Sequence, residues 1–393
     1  MNDRMRIILF LLAYGYILSS FGQERLSSIL TAENQLIEGD TTKAIDTYKQ
    51  VLTDFPRSFS ATKRLSEVYY YQQDYHNAIL YSNIAIEIAE DYFYDGNKPD
   101  SKNQFKTDLA DAHHLKGLIR LKQRRFNDAL GEIKQAIGFD PLNHAMRMDR
   151  AMVFFTANRL DSARHYFHSL KFEPELRNKV LFSLGNSFFK EKNLDSALFY
   201  YDEVTRSYPL FKTAYQYKGL VLTSMQRYRG AVAAFSTYLT LDSLSEEVLF
   251  RRAVLFNELG EVNNALQDWT KVIELNNNNE EAYRNRGLTY FQQGIYDKAI
   301  KDFDKALELQ PEQAYTEINR GYSYYLLNNP KQALTDLDNG IKKMPRYYFG
   351  YYFRALVHLQ LKNKKQACND AKRAAELGMQ ESAMDDLVLK KCF

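Results

Sequence analysis

The chain has 393 residues, with 52 Lys+Arg against 49 Asp+Glu and a formal net charge of +3. A hydrophobic fraction of 45% with a mean hydropathy of −0.48 belongs to a folded, water-soluble chain and excludes wholesale disorder. The near-balanced charge leaves no basic footprint, so nucleic acid is not an expected partner.

At the N-terminus, Arg4 and Arg6 precede an apolar run from Ile7 to Leu18. Ser20-Phe21-Gly22 then places small residues at the two positions a signal peptidase reads. This pattern predicts a secretory signal peptide over 1–22, cleaved after Gly22. The run is too short to span a bilayer comfortably, so no stable membrane anchor is expected after cleavage. Neither cysteine lies near the cleavage point, which argues against lipid anchoring there.

Beyond Gly22 the chain repeats itself. Alanines followed four residues later by an aromatic or aliphatic side chain stand at Ala44, Ala78, Ala129, Ala163, Ala197, Ala231, Ala265, Ala299, Ala333 and Ala367. Every interval is 34 residues except that between Ala78 and Ala129, which is 51. Ten units therefore run from about Arg25 to Glu381, each carrying two amphipathic helical patterns. Twelve positions before each alanine sits a second small residue, for example Ser66, Gly117, Gly219, Gly287 and Gly321. Small residues at both places let two helices approach closely. Gly39, Gly260 and Gly294 mark turns between paired helices, and Pro56, Pro141, Pro209, Pro311 and Pro345 punctuate unit ends. No proline falls inside a predicted helix.

This unit, with Gly or Ala at its eighth position, Ala at its twentieth, an aromatic near the twenty-fourth and Pro at the thirty-second, resembles the tetratricopeptide repeat. The stretch "EAYRNRGLTYFQQGIYDKAIKDFDKALELQP" is close to a consensus copy. The resemblance implies an all-α, right-handed α-solenoid of ten helix-turn-helix repeats with first helices lining a concave face. Unit 3 departs most, carrying Arg120 where Tyr or Phe is usual.

Two segments fall outside the period. "DYFYDGNKPDSKNQFKT", after Glu90, is expected to extend a second helix and then form a loop. "QESAMDDLVLKKCF" has helical spacing and is expected to cover the apolar end of the array as a capping helix. The expected organisation is a signal peptide (1–22), two repeats (23–92), an insertion (93–107), eight repeats (108–380) and a cap (381–393). Cys368 lies on the second helix of unit 10 and Cys392 ends the cap. In an oxidising compartment they are expected to form a disulfide, the alternative being two buried free thiols. The acids Asp385 and Asp386 on the cap are expected to be solvated.

A ladder of charge runs through the last four units. Arg252, Arg286, Arg320 and Arg354 recur every 34 residues, as do Asp268, Asp302, Asp336 and Asp370. Each arginine has its acid sixteen residues on, and the pair is read as structural glue rather than as an anion site.

In the family it resembles, fixed positions of the first helices line the concave face. In units 5 to 7 these include Phe182, Asn186, Phe189, Tyr217, Phe250, Arg251 and Asn257. In units 8 to 10 they include Arg284, Asn285, Phe291, Tyr315, Asn319, Tyr322, Tyr325 and Tyr352. Aromatics with Arg and Asn suit a binding groove, although about half of these rings are expected to pack between units. Asn285 and Asn319 share one repeat position and resemble two rungs of the asparagine ladder by which some relatives hold an extended peptide backbone.

Catalysis finds little support. His165 and His168 share a helix face without a third ligand at a recognisable spacing, so no metal is expected. No nucleophile, phosphate-loop or dinucleotide motif appears, and neither a cofactor nor an enzymatic activity is expected. The sequence points to a periplasmic or secreted scaffold of a bacterial envelope assembly. It would bind another envelope protein or a peptide segment, with a glycan or peptidoglycan strand as the rival ligand.

Overall fold

The computed structural model describes residues 22–94, 102–384 and 386–393. The expected signal peptide, apart from Gly22, lies outside the described residues, as do the middle of the insertion and Asp385. Among the described residues there is no strand, and the chain forms two units, one ending at Lys192 and the other beginning at Asn193.

The first unit holds four helical pairs and one half-pair. They are α1 (Gly22–Glu38) with α2 (Thr41–Asp54), α3 (Phe59–Tyr71) with α4 (Tyr75–Tyr94), α5 (Lys102–Lys122) with α6 (Phe126–Phe139), α7 (His144–Thr156) with α8 (Leu160–Ser169), and then α9 (Arg177–Lys190). The second unit opens with α10 (Leu194–Ser207). It continues with α11 (Lys212–Ser224) and α12 (Tyr228–Leu241), α13 (Glu246–Glu258) and α14 (Val262–Leu275), and α15 (Glu280–Gln292) and α16 (Tyr296–Leu309). Then come α17 (Ala314–Leu326) and α18 (Pro330–Lys343), α19 (Tyr348–Gln360) and α20 (Lys364–Glu376), a 3-10 turn (Glu381–Ala383) and the short α21 (Asp386–Cys392).

The two small positions explain the pairing. All ten signature alanines are fully buried. At the earlier position, a Cβ on Gly219 would stand 2.4 Å from the buried Phe235 ring, and one on Gly287 would stand 2.8 Å from Phe303. Each ring therefore occupies the space that the missing side chain leaves. Where the position is Ser66, its hydroxyl donates to the carbonyl of Ala78 across the same contact at 2.8 Å.

Every turn between paired helices passes through a left-handed residue five positions before the signature alanine. Three of these are the expected glycines, with φ of 89° at Gly39, 71° at Gly260 and 74° at Gly294. The other seven are Gln73, Arg124, Asn158, Lys192, Gln226, Asn328 and Lys362, with φ between 57° and 64°. The turn geometry is thus set by the pair packing, and side chains tolerate it at a cost of about 1 kcal/mol each.

One departure from the expected organisation has a clear cause. Helix α5 begins at Lys102, so residues 102–107, expected as loop, are helical. Tyr92 near the end of α4 stacks on Phe105 of α5 at 5.3 Å, and Phe93 meets Phe139 at 6.0 Å. The insertion's aromatics thereby prolong both helices. At the other end, the outer face of α1 carries exposed Ser27, Ser28, Thr31 and Asn34. One period later the same register holds buried Ala61, Thr62, Leu65 and Val68.

Candidate functional site

The charge ladder is formed in all four of its rungs. Arg252 donates two parallel bonds to Asp268, both at 2.8 Å, and Arg286 does the same to Asp302. Arg320 holds Asp336 with both bonds at 2.7 Å, and Arg354 holds Asp370 at 2.8 and 2.7 Å. All four aspartates are buried. The third guanidinium nitrogen reaches back sixteen residues to the second helix of the preceding repeat. It meets Ser236 at 2.9 Å, Thr270 at 3.2 Å, Asp304 at 2.7 Å and Asp338 at 2.7 Å in turn. Each arginine therefore ties its own pair together and fastens that pair to the previous one, a job the planar fork suits and a lysine does not. Burial works against the charge on Arg320, but the Asp336 and Asp304 carboxylates more than offset it and hold its pKa above the ordinary guanidinium value.

A further rung, missed in the sequence, lies in the first unit. Lys116 occupies the arginine register there and meets Glu132, sixteen residues on, at 2.8 Å. The His113 Nδ1 also lies 2.7 Å from Glu132. Burial alone would raise the Glu132 pKa, yet its bonds to His113 and Lys116 keep it below the ordinary carboxylate value. The substitution of Lys for Arg and Glu for Asp hid this rung from a search for identical residues.

In the second unit, first helices of adjacent repeats touch, α15 with α17 and α17 with α19. Asn257 on α13 donates to Thr289 on α15 at 2.9 Å. The expected binding residues on these helices separate into three groups.

The first group is a chain of rings. Phe291 lies 5.7 Å from Tyr322, which stacks on Tyr325 at 5.8 Å and lies parallel to Phe353 at 3.9 Å; Phe353 in turn stacks on Phe349 at 5.5 Å. Beside it, Tyr315 packs edge-on against Tyr347 at 4.9 Å and remains 49% exposed. Phe353 and Phe349 were missed in the sequence, although Phe353 stands one period after Asn319 and the register alone would have found it.

The second group is polar. Asn285 and Asn319 are half-buried, and their side-chain amides form no hydrogen bond among the described residues. Arg251 is exposed and pairs with Glu247 at 2.9 Å, while Arg284 pairs with Glu280 at 3.2 Å.

The third group packs instead of lining a face. Phe250 meets the fully buried Trp269 edge-on at 4.9 Å, Tyr217 lies 5.9 Å from Tyr201, and Tyr352 is buried in the terminal cluster. In the first unit, Phe182, Asn186 and Phe189 are half-buried on α9.

At the end of the second unit, Val388, Met384 and Met379 bury against Ala367, Ala371 and Leu359. Cys368 on α20 and Cys392 on α21 stand with Cα atoms 4.8 Å apart and their sulfurs in bonding contact. His165 and His168 are exposed on α8, and partial desolvation of the ring, with Lys171 and Arg164 nearby, holds the His168 pKa below its ordinary value. Among the described residues, no group of three His, Cys, Asp or Glu is placed to hold a metal. No described helix is long and apolar enough to cross a membrane.

Comparison with known proteins agrees with this architecture. Models of the tetratricopeptide repeat match residues 9–58, 114–172, 182–246 and 280–313, and a model described as TPR repeat matches 255–294. The first of these matches begins inside the segment read as a signal peptide. No curated protein matches the chain.

Similar solved structures include YrrB, titled a TPR protein with an unusual peptide-binding site. It is 23% identical over 50% of this chain and 97% of that one, with a TM-score of 0.44. A tetratricopeptide repeat protein from Parabacteroides merdae is 20% identical over 63% of this chain and 96% of that one, with a TM-score of 0.43. The MamA protein is 19% identical over 44% of this chain and 94% of that one, with a TM-score of 0.42. The ten-fold register of buried alanines and the successive family matches together place the chain in the tetratricopeptide repeat family.

Proposed function

We propose that the chain is a non-enzymatic scaffold that holds an extended or helical segment of a partner protein against the first helices of its second unit. The observation that carries this reading is the pair of unbonded amides, Asn285 and Asn319, one repeat apart beside the Phe291–Tyr322–Phe353 rings. Each amide presents a donor and an acceptor, which matches the alternation of a peptide backbone. The rings supply apolar area, and Arg251 and Arg284 orient charge. The combined variant Arg251→Ala, Asn285→Ala, Asn319→Ala, Tyr322→Ala is expected to lose partner affinity, with unchanged helicity by circular dichroism. Unchanged affinity would remove the inner face as the site.

The exposed Tyr315 favours a second reading, a glycan or peptidoglycan strand stacked on the ring series. Calorimetric titration with muropeptides separates the two, since a protein scaffold gives no heat.

The same proposal places the chain in a bacterial envelope, exported and processed after Gly22, with the Cys368–Cys392 pair as an oxidised staple on the cap. The charged start and apolar run of the N-terminus support export, and the contact of the two sulfurs supports the staple. Intact mass of the protein recovered from the native host, with and without reduction, tests both. Retention of residues 1–22 refutes processing, and two free thiols refute the staple.

A further inference from the structure

Away from the inner face, the sixth repeat breaks the ladder. At the arginine register stands Lys218, and at the aspartate register stands Ala234. Two more positions shrink beside them. Gly230 holds the place of Asn264 and Lys298 in the next two repeats, and Leu222 holds that of Phe256 and Tyr290. Gly230, Ala234 and an aliphatic Leu222 in place of an aromatic ring line one corner of an open cleft of about 330 Å³ between α10, α11 and α12. Its apolar wall is Leu198, Tyr215, Leu222 and Ala234, and its polar lining includes Asp202, Lys218 and Arg227.

The charges in this cleft are arranged differently from the intact rungs, of which the seventh and eighth give their arginine one carboxylate, ahead of it. In the ninth and tenth repeats the basic residue meets two carboxylates, one behind it and one ahead. Lys218 keeps only the one behind, Asp202 at 2.8 Å. The acid ahead is replaced by the Ala234 methyl group. Arg227, also on the cleft wall, is exposed and has no ion pair among the described residues. Two cations thus face one carboxylate across an apolar hollow.

From this we infer that the cleft of the sixth repeat is a binding site for a carboxylate carried on a short branched aliphatic stem. The carboxylate takes the place of the missing aspartate, bonded by Lys218 and Arg227, and the stem lies on Leu198 and Leu222. The volume stands at the small end of ligand clefts, which suits a side chain, a chain terminus or a small organic acid rather than a cofactor. A free short-chain acid and the C-terminal carboxylate of a partner polypeptide share this chemistry.

The test is saturation-transfer NMR on the full chain with three probes: 4-methylpentanoate, acetyl-Gly-Gly-Leu with a free carboxylate, and the same tripeptide as its C-terminal amide. Both carboxylates are expected to bind, with the amide weaker by about tenfold or more, the loss of one charge-assisted bond. Binding of 4-methylpentanoate alone assigns the site to free acids, and binding of the tripeptide acid alone assigns it to a chain terminus. Ala234→Asp rebuilds the rung and is expected to abolish the signal. Lys218→Gln is expected to weaken it about tenfold and decides the matter should Ala234→Asp fail to fold. Transfer to none of the probes, equal transfer to acid and amide, or an undiminished signal in the folded variants would overturn the assignment. Neither substitution touches Asn285, Asn319 or Tyr322, so a failure here is distinguishable from a failure of the inner-face reading.

Discussion

Removing Arg320 tests whether the ladder holds the array together. Asp336 is 5% exposed, and Arg320 supplies both of the bonds at 2.7 Å that compensate its burial. Arg320→Met keeps the aliphatic stem and leaves an uncompensated buried carboxylate, which costs about 3 kcal/mol or more. The same change cuts the tie to Asp304 on α16, so adjacent pairs lose part of their coupling. A repeat array need not unfold in one step, so the appropriate assay is native-state hydrogen exchange read on amides of α17 and α18 beside those of α12. Protection is expected to fall by roughly a hundredfold around the ninth repeat, the equivalent of about 3 kcal/mol, and to hold in the sixth. Adding Asp336→Leu removes the stranded charge and is expected to recover most of the loss, since a buried pair is often worth no more than its apolar replacement. A cost below about 0.5 kcal/mol, or a double variant no better than the single one, would refute the reasoning.

Three further outcomes follow from packing and titration. Gly219→Ala forces a methyl group into the Phe235 ring and is expected to destabilise by about 1–3 kcal/mol in urea titration. Gly131→Ala, exposed on α6 with nothing within 4 Å of the added carbon, is expected to stabilise by about 0.5–1 kcal/mol. Burial pushes the His358 pKa below the ordinary imidazole value of 6.5, a shift that nearby Asp370 opposes and Arg354 on its own helix reinforces, with Asp338 on α18 acting in the same sense as Asp370. The folded state then binds fewer protons than the unfolded chain below pH 6.5. Stability from this group is present above that pH and is lost as pH falls toward the folded pKa. His358→Gln is expected to flatten the acid side of the thermal-melting profile, and an unchanged profile would show that other groups set it.

The repeat was legible because its cause is local and periodic. A buried alanine every 34 residues, opposite a second small position, is a steric requirement that no bulky side chain meets. The Arg–Asp ladder was legible for a similar reason: a bidentate pair demands those two residue types at a fixed spacing. The Lys116–Glu132 rung escaped because it satisfies the same geometry with different residues. The left-handed turns at Gln73, Arg124 and five other side chains escaped as well, since nothing in a glutamine or an arginine announces a positive φ.

The candidate site divides along the same line. Its register, and therefore Asn285, Asn319, Tyr322 and Phe291, follows from the sequence, because position within the period decides which way a side chain leaves its helix. Whether a ring at that register stacks on its neighbour or sinks into the core depends on the size of residues one repeat away. Tyr352 and Phe250 went inward, and Tyr315 stayed out. The cleft beside Lys218 is more dependent still on the assembled fold. It exists because Leu222 on α11 and Gly230 and Ala234 on α12, each unremarkable alone, meet at one corner of the packed helices. Periodicity determines which faces turn inward; only the packed side chains decide what space is left between them.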